Sequence, residues 1–205
     1  MLRFFEKSNN LVYNIVMKRI LLILALLIGT VVFAEESTVS RQASILYAGN
    51  DIKGAFDMLL SIPEEDRTTQ NYLLLGNILQ DMGKDSDAVF MYNRALLKDD
   101  KYYKAYYNLG TVYLGEEKPN LAIEQFKKVI KLKPDYAYAH YNLGCAYVKA
   151  GEIKKARDEF LRAIDIKNTV PDFHYNLAYV YKKLNNEKAA KRYLEYYNQL
   201  MLNQL

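Results

Sequence analysis

The sequence predicts an all-α protein built from stacked antiparallel helix pairs. Three observations carry that prediction. The chain repeats itself at a spacing of 34 residues: Tyr106-Tyr107-Asn108-Leu109-Gly110 returns as His140-Tyr141-Asn142-Leu143-Gly144, and again as His174-Tyr175-Asn176-Leu177-Ala178. Within each repeat, apolar and small residues recur at spacings of three and four, once in each half, which marks two helix faces. Turn formers are scarce, 9 Gly and 4 Pro in 205 residues, too few for an all-β chain.

The chain opens on a different pattern. Met17-Lys18-Arg19 precedes an apolar run over 20–34 that ends Val32-Phe33-Ala34 before Glu35-Glu36. Positive start, apolar middle and small residues at the −3 and −1 positions are the layout of a secretory signal peptide. As a helix the run is about 22 Å long, against roughly 30 Å for a bilayer core. We therefore expect a leader over 1–34, with the signal peptide at 17–34, Met17 as the true start and cleavage after Ala34. Retention of 20–34 as an inner-membrane anchor is the alternative. No Cys follows the run, which argues against lipid attachment.

The leader also carries most of the net charge. The chain holds 28 basic and 24 acidic residues; without Arg3, Lys7, Lys18, Arg19 and Glu6 it holds 24 and 23. With a net charge near zero, nothing argues for a nucleic-acid binder, where a dominant cationic patch is expected. One Cys excludes an internal disulfide framework and suits an oxidising compartment. We therefore expect an exported protein, in a bacterial periplasm, the bacterial part resting on the brief leader and the single-module layout.

Four windows follow in register: 69–102, 103–136, 137–170 and 171–204. In each, window positions 4, 7, 8 and 11 form one helix face, and positions 20, 24 and 27 form a second. Small residues at 8 and 20 let the two helices approach, and large ones at 4, 11 and 24 fill the space beside them. Gly83, Gly151 and Asn185 are expected to end the first helix of their windows in a left-handed conformation. Asp85-Ser86 is expected to cap the helix that follows. Pro63, Pro119, Pro134 and Pro171 fall between helices or at their starts. Residues 35–68 read as a degenerate opening repeat. Ile45-Leu46-Tyr47 suggests its first helix and Ala55, Leu59, Leu60 and Ile62 its second, with a register slip near Ala48-Gly49-Asn50.

The period, with aromatic-x2-Leu-Gly-x2-Tyr, then Ala-x3-Phe, then Pro, resembles the tetratricopeptide repeat family. The second window shows it best, with Tyr106, Leu109, Gly110, Tyr113, Ala122, Phe126 and Pro134. The fourth departs most: Leu194 stands for the aromatic and Tyr197 for the small residue. The resemblance implies a right-handed superhelix, an α-solenoid, whose first helices line a concave wall that binds proteins or peptides. Ligand contacts in the family come mainly from window positions 2, 5, 9, 12 and 13.

Carried onto this sequence, position 5 gives a tyrosine ladder, Tyr107, Tyr141 and Tyr175. Position 2 adds Lys104 and Tyr138. Position 9 adds Asn77, Thr111 and Tyr179, and position 13 adds Lys149 and Lys183. The family's carboxylate clamp needs Lys or Arg at position 5, so it is not expected here.

No chemical site competes with this surface. His140 and His174 share position 4 with Tyr72 and Tyr106, so packing explains them better than metal binding. Cys145 has no activating base in the sequence. Glu152, Asp158 and Glu159 read as exposed helix-face charges, and Lys127-Lys128 and Lys182-Lys183 as solvated runs. No phosphate loop, nucleophile elbow or metal-ligand helix motif appears. The expectation is a non-enzymatic, cofactor-free scaffold or adaptor in the cell envelope. Alternatives are a membrane-anchored assembly factor, and a glycan-binding protein that stacks sugars on the tyrosines. The helix over 187–205 has no polar cap after it and is a candidate surface for a weak homodimer.

Overall fold

A first helix, α1, covers 38–48 and is followed by α2 (Ile52–Leu60) and a short 3-10 turn (Glu64–Asp66). Four helix pairs come next: α3 (Thr69–Asp81) with α4 (Asp85–Lys98), α5 (Tyr103–Gly115) with α6 (Pro119–Leu132), α7 (Ala137–Lys149) with α8 (Ile153–Ile166), and α9 (Pro171–Lys183) with α10 (Glu187–Leu202). The structure is a computed structural model and describes Met17 and residues 38–203. The expected signal peptide, its cleavage point and the anchor alternative lie outside the described residues, Met17 apart. Among the described residues there is no strand, and no helix is long and apolar enough to cross a membrane.

The chain divides into two units, 1–67 and 68–205. In the first, Asn50 turns the chain with φ 65°, where the register slips. The Asp51 carboxylate then accepts from Gly54 N at 2.9 Å and caps α2. Ala43, Ala55, Leu59 and Ile62 are buried, whereas Ile45 and Leu60 face solvent. The Arg67 guanidinium donates to the carbonyls of Ile62 (3.0 Å) and Leu60 (3.3 Å), which satisfies acceptors that the end of α2 leaves open.

In the second unit, the first helix of each pair (an A helix) begins at Thr69, Tyr103, Ala137 or Pro171, one period apart. Each A helix packs on its own second (B) helix, and each B helix on the next A helix. All four A-to-B turns close alike. Gly83, Glu117, Gly151 and Asn185 take positive φ, and the amide after each bonds back to Leu79, Tyr113, Tyr147 or Tyr181 at 2.8–2.9 Å. Glu117 is the unforeseen member of that set; it holds the left-handed position without being Gly or Asn. The expected Asp85-Ser86 cap is not formed. Lys84 is the N-cap of α4 and no side chain caps it; Asp85 and Asp87 lie in the first turn, where they favour the helix dipole.

The pairs interlock through position 8 against position 24. A Cβ on Gly110 would lie 2.6 Å from Phe126 Cε1, and one on Gly144 would lie 2.6 Å from Phe160 Cε1. The glycine lets the ring lie on the A-helix backbone, and Phe126 and Phe160 are 0% and 1% exposed. In the last pair Ala178 faces Leu194 instead, and Leu194 is 42% exposed.

Candidate interaction surface

Successive A helices touch directly: α3 meets α5, and α5 meets α7, while no two B helices are in comparable contact. The stack is therefore tighter along its A side, which makes the A helices the inner wall. Ten candidate residues were read from the sequence, and the structure separates them into two groups.

Three of them, Tyr107, Tyr141 and Asn77, hold neighbouring repeats together, and a fourth, Thr111, is tied to its own helix. The Tyr107 ring meets Phe126 and Tyr136 edge-on at 5.9 and 5.3 Å, and its hydroxyl accepts from Asn142 Nδ2 at 2.9 Å. One period on, Tyr141 stacks on Phe173 at 4.7 Å and accepts from Asn176 Nδ2 at 2.6 Å. Asn77 accepts from Asn108 Nδ2 (2.6 Å) and from the Tyr92 hydroxyl (3.0 Å). Thr111 Oγ1 donates to the Asn108 carbonyl at 2.8 Å. Burial pushes the Tyr107 phenol up to about 12, and Tyr141 higher still for the same reason. The ladder expected as a row of free phenol tips is thus, at Tyr107 and Tyr141, an inter-repeat staple. Each hydroxyl is engaged by the amide of the next repeat.

The other six remain accessible. Tyr138, Tyr175 and Tyr179 are 37%, 52% and 43% exposed, and Lys104, Lys149 and Lys183 face solvent. The Lys167 ammonium sits 5.1 Å above the Tyr138 ring and donates to its hydroxyl at 3.3 Å. Lys183 lies 5.5 Å over Tyr179. Lys149 pairs with Glu117 of the preceding repeat. Between α9 and α10 an open groove of about 400 Å³ is walled by Tyr175, Ala178, Tyr179, Lys182, Ala190 and Leu194. Sequence reasoning found the tyrosines but not this groove. Its signal was the missing aromatic at Leu194.

The histidines are packing residues with polar tethers. Both are buried, and each Nε2 faces the carbonyl six residues back: Pro134 O at 3.0 Å for His140, Asn168 O at 2.8 Å for His174. His140 Nδ1 also lies 2.7 Å from Glu159 Oε2. Glu159 is therefore half-buried against α7 and not the solvated charge its position suggested. Glu152 likewise pairs with Lys155, and Lys128 with Glu124. Burial lifts the Cys145 thiol to about 11, so it stays protonated and weakly nucleophilic at neutral pH. Among the described residues, no three of His, Cys, Asp and Glu gather where they could share a metal ion.

Comparison with known proteins agrees with this architecture. Residues 118–151 and 146–185 match a TPR repeat family, and residues 69–97 match a second family described as tetratricopeptide repeat. No curated protein matches by sequence. Solved structures with a similar fold include MamA, residues 41 to the end, from Desulfovibrio magneticus RS-1. It is 20% identical with a TM-score of 0.75, over 82% of this chain and 96% of that one. A second MamA crystal structure is 23% identical with a TM-score of 0.73, over 79% of this chain and 95% of that one. At such identities the likeness is one of fold. The period, the four interlocked helix pairs and the family matches together identify the repeats over 69–97 and 118–185 as tetratricopeptide repeats.

Proposed function

We propose that the protein is an exported scaffold that holds a protein or peptide partner against the inner wall of its repeats, in the cell envelope. Tetratricopeptide repeats are protein-interaction modules, and export is supported by the signal-peptide layout of 17–34. The observation that carries the binding reading is the exposure of Tyr138, Tyr175 and Tyr179 on α7 and α9. Three large rings standing partly open on one wall offer a partner apolar area to bury. Tyrosine gives apolar area and a polar tip at low entropic cost. Lys104, Lys149 and Lys183 beside them favour carboxylates on the partner. Binding is then a helix or extended segment laid along the wall, and chemistry is absent from the task.

Crosslinking and affinity capture of the exported protein from its host tests this. Tyr179→Ala with Lys104→Glu should reduce the captured partner at least ten-fold while the circular-dichroism melt stays unchanged. Undiminished capture overturns the wall as the site. A protein beginning at Glu35 supports export with cleavage, and one beginning at Met1 or Met17 supports the anchor.

A further inference from the structure

The third and fourth repeats carry the same histidine against different partners. His140 and His174 stand at window position 4, and each Nε2 is tethered to the carbonyl six residues back. A carbonyl only accepts, so Nε2 carries a proton in both rings. Helix and tether together fix each ring, which leaves Nδ1 facing the B helix of its own repeat. In the third repeat that atom meets Glu159 Oε2 at 2.7 Å. One period on, the residue in the place of Glu159 is Tyr193, which has no carboxylate. His174 is 5% exposed, and its Nδ1 is buried with no hydrogen-bond partner. Native folds seldom bury a polar atom without an answering group.

His174 also lines a cavity of about 440 Å³ between α10, the α8–α9 turn and Ile164 of α8. That volume lies in the range of small-molecule sites. Its walls are aromatic beside the imidazole: Tyr193 and Tyr196 have ring centroids 6.1 and 5.7 Å from that of His174. Leu200 adds aliphatic surface. Arg192 lines the cavity too and is exposed to solvent. Its guanidinium lies 5.6 Å over the Tyr196 ring and donates to the Tyr196 hydroxyl at 3.3 Å. Among the described residues no Asp or Glu lines this cavity.

Three requirements follow for what fits. An acid group answers Nδ1, as Glu159 does one repeat earlier. Negative charge suits Arg192, which has no carboxylate beside it in the cavity wall. A flat apolar body suits the faces of Tyr193 and Tyr196.

We propose that this cavity binds a small aromatic carboxylate, whose acid group takes the place in the fourth repeat that the Glu159 side chain holds in the third. Tyr193 lies against the imidazole and gives way as the acid reaches Nδ1. The site is separate from the inner wall of A helices and stands whether or not that wall holds a partner.

Naphthoate and its neutral analogue naphthamide are the probes, titrated into the purified protein by calorimetry. Naphthoate should bind about ten-fold more tightly than naphthamide, because only the acid makes charge-assisted bonds to His174 and Arg192. Arg192→Gln should weaken naphthoate several-fold and leave the melt unchanged, since Arg192 is exposed. Tyr193→Glu should abolish binding, because the chain's own carboxylate then fills the slot. Nitrogen NMR of the unsubstituted protein reads the contact directly: naphthoate should shift the His174 Nδ1 signal and leave that of His140 in place. No binding at millimolar naphthoate, equal affinity for naphthamide, or a His174 signal that stays put at saturation overturns the proposal. So does equal binding to Arg192→Gln. N-acetylglutamate amide serves as the stand-in for a polypeptide carboxylate. If it binds as tightly as naphthoate, the aromatic ligand is overturned, because a partner's Glu side chain would then suffice.

Discussion

The third and fourth repeats share one register yet differ in what closes them. In the third, Gly144 receives the Phe160 ring, and α9 covers both. In the fourth, Ala178 and Leu194 hold the same two positions, and Leu194 remains 42% exposed. His140 and His174 repeat the contrast: the first faces Glu159, while Nδ1 of the second is buried without a hydrogen-bond partner beside Tyr193 and Tyr196. Burial in a repeat array thus depends on having a successor, because each unit contacts only its neighbours. A position's stability contribution follows from its place along the stack as much as from its residue type.

That contrast can be broken most strongly at position 24. Phe160→Ala should cost about 3–5 kcal/mol, because it empties a fully buried ring site. Leu194→Ala should cost less than about 1 kcal/mol, because half of that side chain is already wet. Urea denaturation followed by circular dichroism reads both, and equal losses would mean that the terminal groove is filled in solution. Gly144→Ala is the next largest, at about 1–3 kcal/mol of overpacking against Phe160. Adding Phe160→Leu reproduces the Ala178–Leu194 pair, so the double variant should lose less than the sum of the single losses. A strictly additive result would show that the two positions do not interlock.

The smallest effect is one of pH. Tyrosine ionises near 10 when unfolded, and burial raises Tyr107 to about 12 and Tyr141 further. Keeping these phenols protonated stabilises the fold fully below pH 10, and that stabilisation is lost as the pH rises through 10 towards 12. Denaturation midpoints should decline over that window, and Tyr107→Phe should make the decline shallower. Absorbance at 295 nm should show a late-ionising tyrosine that the same substitution removes.

Much of the architecture was legible in residue spacing. The period set the A-helix starts, and the glycine-to-aromatic pairing was readable because a helix face has only one phase. Less of the surface was legible. Tyr107 and Tyr141 looked like recognition residues because the resembled family takes ligand contacts from position 5. Their engagement by Asn142 and Asn176 links residues 35 apart in chain, in different repeats, and no local pattern reports it. Glu159 looked solvated for a similar reason, its partner His140 lying on another helix. Glu117 took a left-handed position that Gly or Asn would have advertised, because the turn geometry common to all four repeats overrides its own preference.

Sequence by itself determined the helices, their pairing and the number of repeats in register, since helix phase and close approach are properties of a few residues read in order. Tertiary structure alone decided which tyrosines are staples and which are open, and that, among the described residues, a groove lies open between α9 and α10. Those outcomes depend on whether a neighbouring helix arrives to exclude water, and a single repeat does not encode its neighbour.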